Sequence, residues 1–420
     1  MNHLKSLLRK LTPFFALRIY HYILSLIAAL TYGLPARKIK VVAVTGTKGK
    51  SSTAEIINAI LEEAGFHTAL ASTIRFKIDE DNQPNLLKMT MPGRGFLQRF
   101  LYKAVKADCQ YAIVEMTSEG TKLYRHWWID LDALVFTNLS PEHIESHGSF
   151  EKYREAKLKI RDSLSKSKKP NRSIIANTDD ETAEYFLQAN VPNKLKFNLA
   201  QLEPYKIQSD GSTFTLDGQK IKTNLPGKFN LYNILASITY AKTQNVDMET
   251  IKNALAKFGG IPGRMEKIVL ENITTPYPTV YVDYAHTPDS LTQAYEACGD
   301  KKLICVLGGT GGGRDQWKRK EMGSIADKYC AHIIVTNEDP YDENPQTIID
   351  MVAEGVANKP VEKILDRREA ISKAISLATP NDVVIITGKG TDPFIMGPNG
   401  SKQVWSDSKV AREEMLKIFK

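Results

Sequence analysis

The sequence predicts an α/β protein with more than one domain, and three observations lead to this fold class. At 420 residues the chain is too long for one ordinary hydrophobic core, and its 42% hydrophobic and 25% charged residues are typical of a folded globular protein. Short β-branched runs alternate with helical patterns, which favours parallel sheets covered by helices. A glycine-rich loop joins the first of these runs to a helix, as in nucleotide-binding α/β domains.

The first α/β domain is predicted over residues 38–259. Its β-branched run from Lys40 to Val44 precedes the glycine-rich loop and a helical pattern from Thr53 to Ala64. Further strand-like runs lie at Tyr111–Met116 and Ala133–Thr137. This order predicts a central, P-loop ATPase-like domain with a parallel sheet.

A second α/β domain is predicted over residues 260–420. The stretch from Gly259 to Arg264 is rich in glycine and has a proline, as linkers often do. The strand-like runs after it are Thr279–Val282, Leu303–Leu307, His332–Thr336 and Val383–Thr387. Their alternation with helical patterns predicts a Rossmann-like C-terminal domain, and we expect closure about the linker to assemble the active site.

A short apolar helical extension is predicted over residues 1–37. Its uncharged stretch, Tyr22 to Pro35, is shorter than the roughly 20 residues of a bilayer span, so a membrane crossing is not expected. Basic residues near the start allow an interfacial helix, with residues 1–36 touching an anionic membrane from the cytoplasmic side. A helix packed on the body of the protein is the alternative. A secretory signal is not expected, because the next element must work where ATP is found.

The net charge indicates the class of ligand, and the cysteines indicate the compartment. The net charge of +8 favours anionic ligands such as nucleotides, nucleotide-sugars or a membrane surface, without deciding among them. No arginine and aromatic stripe of nucleic-acid-binding type is present, so we expect no nucleic-acid partner. The cysteines show no CxxC pair and are predicted to be small core residues in a reducing, cytoplasmic compartment: Cys109, Cys298, Cys305 and Cys330.

The segment Gly46-Thr47-Lys48-Gly49-Lys50-Ser51-Ser52 has the strongest functional signal in the sequence. Between a strand and a helix, its backbone N–H groups would cradle the phosphates of ATP. Lys50 would neutralise the β- and γ-phosphates, and the Ser51 hydroxyl would coordinate Mg²⁺. The generic Walker pattern has its first glycine where Val44 stands, which weakens a generic NTPase assignment but leaves the rest of the loop in place.

Two residues outside this loop are predicted to complete a metal site. Glu115 ends an apolar strand, where a carboxylate can reach a metal beside the phosphates. His143 follows the strand that ends at Thr137. Together with Ser51, these residues predict a site for two Mg²⁺ ions.

At this point the residues resemble the Mur ligases, and the similarity extends from about Val41 to Arg412. The segments that recur in that family, in the same order, are the phosphate loop, Phe136–Leu139, His147–Gly148, Tyr153–Lys157, Leu225–Gly227, Tyr232–Asn233, Pro262–Glu266 and Asp283–Pro288. The chain is most similar to the MurE type, which adds the third residue of the peptidoglycan stem peptide, through Gly309–Arg319, Asp366–Ala370 and Gly388–Gly390. The resemblance implies ATP-dependent formation of an amide bond through an acyl phosphate.

The resemblance also implies roles for individual residues. Lys157 resembles the lysine that this family converts to a carbamate, an oxygen ligand for the second Mg²⁺. Arg264 would steady the phosphates, Asn233 and His286 would contact adenine, and Asp283 would hold the ribose. The residues expected to act in catalysis are Lys50, Glu115, His143, Lys157 and Arg264. The positions expected to contact the muramoyl peptide or the amino acid are Thr90, Thr117, Ser118, Arg125, Arg314, Glu338, Asp339, Tyr341, Gly388 and Asp392.

Two departures from the family pattern leave the substrates open. Fewer residues precede the phosphate loop than a standard domain contains, so the usual UDP-binding N-terminal domain is not expected and the acceptor is either UDP-linked or lipid-linked. Where diaminopimelate-adding enzymes have Asp-Asn-Pro-Arg, this chain has Glu338-Asp339-Pro340-Tyr341, and Thr391-Asp392 replaces a His-Glu pair. Diaminopimelate is therefore disfavoured, and the acidic residues would suit a cationic side chain such as that of lysine.

The sequence thus predicts an ATP-dependent ligase that adds an amino acid to the carboxylate of a muramoyl peptide in peptidoglycan synthesis, and so serves cell shape and division. We expect a monomer that acts on small-molecule substrates. Two alternatives stay open. One is a related ligase for a lipid-linked or poly-γ-glutamate-type substrate, and the other is a nucleotide-binding protein without catalytic activity.

Overall fold

The computed structural model describes residues 14–93, 95–142, 144–313 and 316–420. Two predicted site residues, His143 and Arg314, lie outside this part of the chain. The chain divides into two compact units, which are Met1–Glu203 with Tyr232–Lys257 (unit 1) and Pro204–Leu231 with Phe258–Lys420 (unit 2). The segment Pro204–Leu231, which lies inside the first domain predicted from sequence, therefore groups with unit 2.

Unit 1 is built on an eight-stranded sheet with the strand order β4-β3-β2-β5-β1-β6-β7-β8. The strands are β1 Lys40–Thr45, β2 Thr68–Ala71, β3 Arg75–Ile78, β4 Asp81–Pro84, β5 Tyr111–Glu115, β6 Ala133–Phe136, β7 Ser173–Asn177 and β8 Asn193–Phe197. The six strands from β2 to β8 in this order are parallel, while β3 and β4 add an antiparallel edge. Because β1 is central and buried from Val41 to Thr45, the loop after it opens at the carboxyl edge of the sheet, where ligands bind in such folds.

The helices of unit 1 cover this sheet. They are α1 Phe14–Thr31, α2 Lys50–Glu63, α3 Phe96–Lys106, α4 Ser118–Lys122, α5 Ile144–His147, α6 Phe150–Lys166, α7 Ala183–Leu187, α8 Lys228–Thr243 (from Tyr232 onward) and α9 Met248–Lys257. Ser149 is the N-cap of helix α6, and its hydroxyl accepts a hydrogen bond from the Lys152 N–H at 3.3 Å. Among the described residues, no helix is both long and apolar enough to span a bilayer.

Unit 2 contains a six-stranded sheet with the order β12-β13-β17-β14-β15-β16, parallel except for β12. Its strands are β12 Glu266–Ile268, β13 Thr279–Val282, β14 Leu303–Leu307, β15 His332–Val335, β16 Val361–Lys363 and β17 Val383–Ile386. Its helices are α10 Pro288–Ala297, α11 Trp317–Tyr329, α12 Pro345–Ala353, α13 Arg367–Leu377 and α14 Asp407–Phe419. Two buried apolar clusters lie on its two faces, as in a doubly wound domain.

Unit 2 also has two smaller sheets. An antiparallel sheet is formed by β9 Lys206–Gln208, β10 Gly211–Leu216 and β11 Gln219–Thr223, and a hairpin by β18 Phe394–Met396 and β19 Lys402–Val404. The Tyr281 hydroxyl donates a hydrogen bond to the Ser209 carbonyl and so ties the antiparallel sheet to β13.

Two of the four cysteines are paired in a disulfide, which the sequence expectation of a reducing compartment did not include. Cys305 in β14 and Cys330 after α11 form a disulfide, whereas Cys109 and Cys298 are buried free thiols. Both disulfide cysteines are buried, at 0% and 1% exposure, as predicted for core residues. Their pairing could not be read from spacing, because they lie 25 residues apart without a motif.

Candidate active site

The phosphate loop lies between β1 and α2, as predicted. Gly46 and Gly49 have φ angles of 156° and 78°, and a Cβ at Gly46 would lie 2.0 Å from the Thr137 hydroxyl. Gly49 is the N-cap of α2, and no side chain caps this helix. The first N–H groups of α2 therefore have no partner within the helix and face the loop, which is the arrangement that binds an anion.

The end of β6 holds the loop in this shape. The Thr47 N–H donates to the Asn138 carbonyl at 2.8 Å, and the Lys48 N–H donates to Asn138 Oδ1 at 2.9 Å. The Thr137 hydroxyl donates to the Lys48 carbonyl at 2.7 Å. The Lys48 ammonium lies 3.0 Å from Glu142. Lys48, predicted to bind nucleotide, thus has its side chain and its N–H engaged in bonds that fix the loop.

Two lysine side chains converge on the carbonyl of Gly46. Lys50 Nζ lies 3.1 Å from this oxygen and 2.8 Å from the Thr47 carbonyl. Lys157 Nζ donates to the same Gly46 oxygen at 2.6 Å, and the residue is 2% exposed. Burial lowers the pKa of Lys157 well below its ordinary value, and the neighbouring Lys50 cation lowers it further, while Glu142 acts in the opposite direction. The loop therefore holds two amines at the place where phosphate charge would be neutralised.

Glu115 ends β5 and is fully buried beside the loop after β2. Its Oε1 accepts the Thr73 N–H at 2.9 Å, and its Oε2 accepts the Thr73 hydroxyl at 3.0 Å. The Thr73 hydroxyl also lies 2.7 Å from that of Thr90. The structure thus joins two predicted site residues, Glu115 and Thr90, through Thr73, which sequence reasoning missed because no motif marks it.

The side chains near the loop have the right chemistry for nucleotide and magnesium. Ser51 and Ser52 are buried in the first turn of α2, at 7% and 5% exposure, and the Ser51 hydroxyl and the Glu115 carboxylate are oxygen donors of the kind Mg²⁺ prefers. No group of three or more His, Cys, Asp or Glu side chains able to hold a metal occurs in the described ranges, and His143 lies outside them. An unmodified lysine ammonium supplies no lone pair to a cation.

The residues predicted to contact the muramoyl peptide lie around α4. Thr117 caps this helix by accepting the Gly120 N–H at 3.2 Å, and the Ser118 hydroxyl lies 3.1 Å from His147 Nε2. Arg125 donates to the Met91 carbonyl, and burial lowers its pKa. Thr117, Ser118 and Arg125 thus lie at one side of the sheet edge that carries Glu115.

Asn233 in α8 lies directly over the phosphate loop. A Cβ at Gly49 would come within 2.3 Å of its Oδ1, which also accepts the Thr53 hydroxyl at 3.3 Å. The predicted nucleotide contact therefore adjoins the loop within unit 1.

In unit 2, Arg264, Asp283 and His286 form a second predicted group. Asp283 accepts the N–H groups of Met265 and Ala285, both at 2.7 Å. The Arg264 guanidinium lies 4.2 Å from the ring centre of Tyr284, and His286 Nδ1 lies 2.7 Å from the Tyr284 carbonyl. The three residues lie at the carboxyl end of β13 and in the segment before β12.

The predicted amino-acid residues of unit 2 also lie together. Lys389 donates to Asp339 at 2.7 Å and to Asp392 at 3.0 Å, and it is 1% exposed. A Cβ at Gly388 would lie 2.6 Å from Glu338 Oε2. Lys389, to which sequence reasoning assigned no role, neutralises two of the three carboxylates expected to attract a cationic substrate.

Glu338 differs from these two carboxylates. It is 4% exposed; its Oε1 accepts the Thr310 hydroxyl at 2.9 Å, and its Oε2 has no hydrogen-bond partner in the described part of the chain. Burial raises the pKa of Glu338, partly offset by Lys389. Tyr341 follows in the same loop with a φ of 53° and donates its N–H to the Met396 carbonyl at 3.0 Å. Arg314, the remaining predicted residue, lies outside the described ranges.

Comparison with known proteins identifies the family. Residues 44–241 match the Mur ligase middle domain, and residues 263–390 match the Mur ligase, glutamate ligase domain. The chain belongs to the Mur ligase family. Its members are ATP-dependent ligases that use ATP and Mg²⁺.

Two relatives of this Mur ligase show how far the similarity extends. The UDP-N-acetylmuramoyl-L-alanyl-D-glutamate--2,6-diaminopimelate ligase of Syntrophomonas wolfei is 38% identical over 407 residues, which is 93% of this chain and 81% of the relative. The UDP-N-acetylmuramyl-tripeptide synthetase 2 of Oceanobacillus iheyensis is 32% identical over 410 residues, or 94% and 81%. The predicted similarity to the MurE type is confirmed.

Solved structures agree with the α/β fold. A UDP-N-acetylmuramoyl-L-alanyl-D-glutamate--2,6-diaminopimelate ligase has a TM-score of 0.63 at 27% identity, covering 90% of this chain and 79% of that one. A folylpolyglutamate synthase of Mycobacterium tuberculosis, in complex with ADP, has a TM-score of 0.69 at 17% identity and covers 93% and 95%. The latter shows a shared fold alone.

Proposed function

We propose that this Mur ligase adds an amino acid to the carboxylate of a muramoyl peptide, through an acyl phosphate formed with ATP. The observation that carries the proposal is the convergence of Lys50 and Lys157 on the Gly46 carbonyl, beside the uncapped N-terminus of α2. Such a group of donors favours a polyphosphate over a neutral ligand. The names of the relatives supply the substrate class.

The chain's own residues would act mainly by holding charge. The N–H groups at the start of α2 and the Lys50 ammonium would bind the phosphates, and Ser51 and Glu115 would hold Mg²⁺. Mg²⁺, when bound, supplies charge neutralisation during phosphoryl transfer. The muramoyl carboxylate would be positioned by Thr90, Thr117, Ser118 and Arg125. No protein nucleophile is required, because phosphate becomes the leaving group and the amine of the incoming amino acid attacks the acyl carbon.

Lys157 is proposed to act as a carbamate. Carbon dioxide reacts with an uncharged amine, and the burial that lowers the pKa of Lys157 favours that form. The N–C bond forms as the amine attacks carbon dioxide and releases one proton. The carbamate oxygens would then supply the anionic ligand that an ammonium cannot.

The amino-acid substrate is proposed to bind near Glu338. Asp339 and Asp392 both accept hydrogen bonds from Lys389. Oε2 of Glu338, by contrast, has no hydrogen-bond partner in the described part of the chain. An amino group of the substrate would satisfy this oxygen. Tyr341 stands where the diaminopimelate-adding pattern has arginine, so we propose a substrate that has no second carboxylate, such as lysine.

The setting is proposed to be the cytoplasmic side of the membrane. Helix α1 exposes an apolar stripe, with Ile19 at 54%, Ile23 at 46%, Ile27 at 54% and Leu30 at 63% exposure. This stripe would lie in the headgroup region of an anionic leaflet. We propose a monomer as the active form, to be tested by sedimentation.

The proposed reaction is tested by measuring ADP release across a matrix of muramoyl dipeptides and amino acids. We expect release only when both substrates are present, with lysine preferred, and a loss of at least about 10²-fold in Lys50→Ala and in Lys157→Ala. Lys103→Ala, an exposed lysine on α3, is the matched control. Depleting bicarbonate should lower the turnover of the native chain and leave that of Lys157→Ala unchanged.

Each other outcome contradicts a stated part of the proposal. If ADP release occurred only with a glutamate chain or only with a lipid-linked acceptor, that compound would be the substrate in place of the muramoyl dipeptide. ATP binding without ADP release for any pair would make the chain a non-catalytic nucleotide-binding protein. Full turnover of Lys157→Ala would remove the carbamate.

A further inference from the structure

Unit 1 contains a cavity of about 590 Å³ at the amino edge of its sheet. The lining includes Arg37, Asp130 and Lys168, which come shortly before β1, β6 and β7. The phosphate loop follows β1 at the opposite, carboxyl edge, and the six residues of this strand span about 20 Å. A ligand of this cavity is therefore neither the nucleotide nor the carboxylate that reacts with it.

The lining of the cavity is basic. It has four cationic side chains and two carboxylates, and both carboxylates are engaged, since Asp130 pairs with Arg37 at 3.0 Å and Asp162 with Arg161 at 2.6 Å. His126 adds no charge near neutral pH, because burial lowers its pKa to about 3. Three lysines of the lining take part in no ion pair within the described part of the chain: Lys159, Lys166 and Lys168. The cavity therefore has an excess of positive charge that an anionic group would neutralise.

One wall of the cavity is aromatic. The ring centre of Tyr22 lies 5.1 Å from that of Trp127 and 6.1 Å from that of Trp128. Trp127 is 36% exposed. Tyrosine and tryptophan collect at the level of the headgroups in membrane proteins, because their rings are apolar at one end and polar at the other. Aromatic rings beside basic side chains are thus a composition suited to a membrane interface.

Helix α1 brings an apolar surface to the border of the cavity. Its exposed side chains at positions 19, 23, 27 and 30 recur every three or four residues and so form one stripe. Tyr22 lines the cavity and comes three residues after Ile19, which places it on the flank of this stripe. A helix in the interface buries its apolar face by about 5–10 Å, so its flank lies at the depth of the headgroups. The cavity would therefore meet a lipid headgroup while the stripe meets the acyl chains.

The basic side chains are placed to share one anion. Lys159 and Lys166 are seven residues apart, which is about two turns on the same face of α6. The side chain of lysine is a flexible four-carbon stem with a compact charge, so the two ammonium groups can converge on one phosphate.

We propose that this cavity binds the headgroup of an anionic glycerophospholipid, with its phosphate on Lys159 and Lys166 and its glycerol and upper acyl chains against Tyr22 and Trp127. The inference rests on the proposed membrane setting and adds to it a preference for anionic lipid, which an apolar stripe alone does not give. It also places the bilayer at the amino edge of the sheet of unit 1, so that the phosphate loop lies at the edge away from the membrane.

The first test is the binding of dihexanoyl phosphatidylglycerol, below its micelle concentration, to the full chain, followed by calorimetry. No bilayer is present, so this binding reports the cavity and not the stripe of α1. We expect saturable binding and at least about a tenfold loss of affinity in Lys159→Gln/Lys166→Gln, because each lysine beside an anionic lipid contributes roughly fivefold. Trp127→Ala should also bind the lipid more weakly. Glycerol phosphate, which has no acyl chains, should bind the native chain more weakly than the lipid does.

The matched control removes the same charge from another surface. Lys220 and Lys222 are exposed on β11 in unit 2 and lie outside the cavity. The variant Lys220→Gln/Lys222→Gln should bind the short-chain lipid as the native chain does.

The second test is sedimentation with vesicles of phosphatidylcholine, with and without phosphatidylglycerol. We expect the native chain and Lys220→Gln/Lys222→Gln to prefer the anionic vesicles, and Lys159→Gln/Lys166→Gln to lose most of this preference. Binding to pure phosphatidylcholine should be the same in all three. ADP release with soluble substrates should also be unchanged in Lys159→Gln/Lys166→Gln, because the cavity does not hold a reactant.

Four results would overturn the inference. They are no binding of the short-chain lipid, equal lipid binding by the native chain and Lys159→Gln/Lys166→Gln, inorganic phosphate or glycerol phosphate binding as tightly as the lipid, and a loss of ADP release in Lys159→Gln/Lys166→Gln. The third would make the ligand a soluble anion, and the fourth would make it a substrate. Because lipid binding needs no turnover, the proposals fail separately. ADP release without lipid binding removes only the cavity assignment, and lipid binding without ADP release for any substrate pair removes only the ligase.

Discussion

At the scale of single residues, Gly49 shows how the backbone builds the phosphate site. Its φ of 78° is in the left-handed region, and a Cβ would lie 2.3 Å from Asn233 Oδ1. We expect Gly49→Ala to lose about 1–2 kcal/mol of stability through its backbone conformation, and ATP affinity to fall at least about tenfold because Asn233 and the loop must shift. Calorimetry with ATP and thermal unfolding measure the two effects.

Gly65, which follows α2, provides the matched control for this prediction. Its φ is 83°, but a Cβ there meets no atom within 4 Å. Gly65→Ala should therefore lose stability through its backbone conformation but bind ATP with native affinity. Equal ATP affinity in Gly49→Ala and Gly65→Ala would show that the contact with Asn233 does not shape the site.

His126 provides a pH prediction at the same scale. Burial, with a smaller contribution from Lys159, lowers its pKa from 6.5 to about 3. Between these values the unfolded chain binds a proton that the folded chain does not, so the free energy of unfolding falls as pH drops from about 6.5 to about 3, by roughly 1.4 kcal/mol per pH unit. Urea unfolding of the native chain and of His126→Phe, at several pH values, measures the difference. Identical pH slopes, or an imidazole that titrates near 6.5 by NMR, would contradict it.

At the scale of elements, the sequence predicted the strands that have a clear hydrophobic pattern. It missed the strand and the side chains whose roles depend on tertiary contacts. All seven predicted strands are present with ends within one residue, because runs such as Val383–Ile386 are buried on both faces. The edge strand β4 has the sequence Asp-Asn-Gln-Pro, and all four of its residues are exposed, so it has no such pattern. Thr73 and Lys389 were missed for a similar reason: their importance comes from the side chains they meet, and no local motif indicates those partners.

Helix α1 provides the prediction that belongs to an element. Its exposed stripe would be buried in a membrane interface, where each fully buried isoleucine is worth roughly 1.5–3 kcal/mol. We expect the native chain to sediment with anionic vesicles and the variant Ile19→Ser/Ile23→Ser/Ile27→Ser to lose most of this binding. Val404→Ser removes an 80% exposed apolar side chain from unit 2 and should leave it unchanged. Equal sedimentation of the native chain and the triple variant would contradict the membrane contact.

At the scale of the whole molecule, the chain is divided into two units, and the phosphate loop belongs to one of them. We therefore expect nucleotide binding to raise the melting temperature of unit 1. The phosphate loop, Lys157 and Glu115 all belong to unit 1. A ligand at 100 times its dissociation constant stabilises the state that binds it by about 2.7 kcal/mol. For a unit of this size, that corresponds to a rise in melting temperature of roughly 5–10 °C.

The tryptophans make the effect measurable in unit 1 alone. Trp127 and Trp128 belong to unit 1 and Trp317 and Trp405 to unit 2, so the variant Trp317→Phe/Trp405→Phe reports the unfolding of unit 1. We expect MgATP to raise the melting temperature of this variant and to have little effect once Lys50→Ala is added. If MgATP raised the melting temperature equally with and without Lys50→Ala, the nucleotide would be bound elsewhere. Removing the main cation of the phosphate loop would then have cost no binding energy.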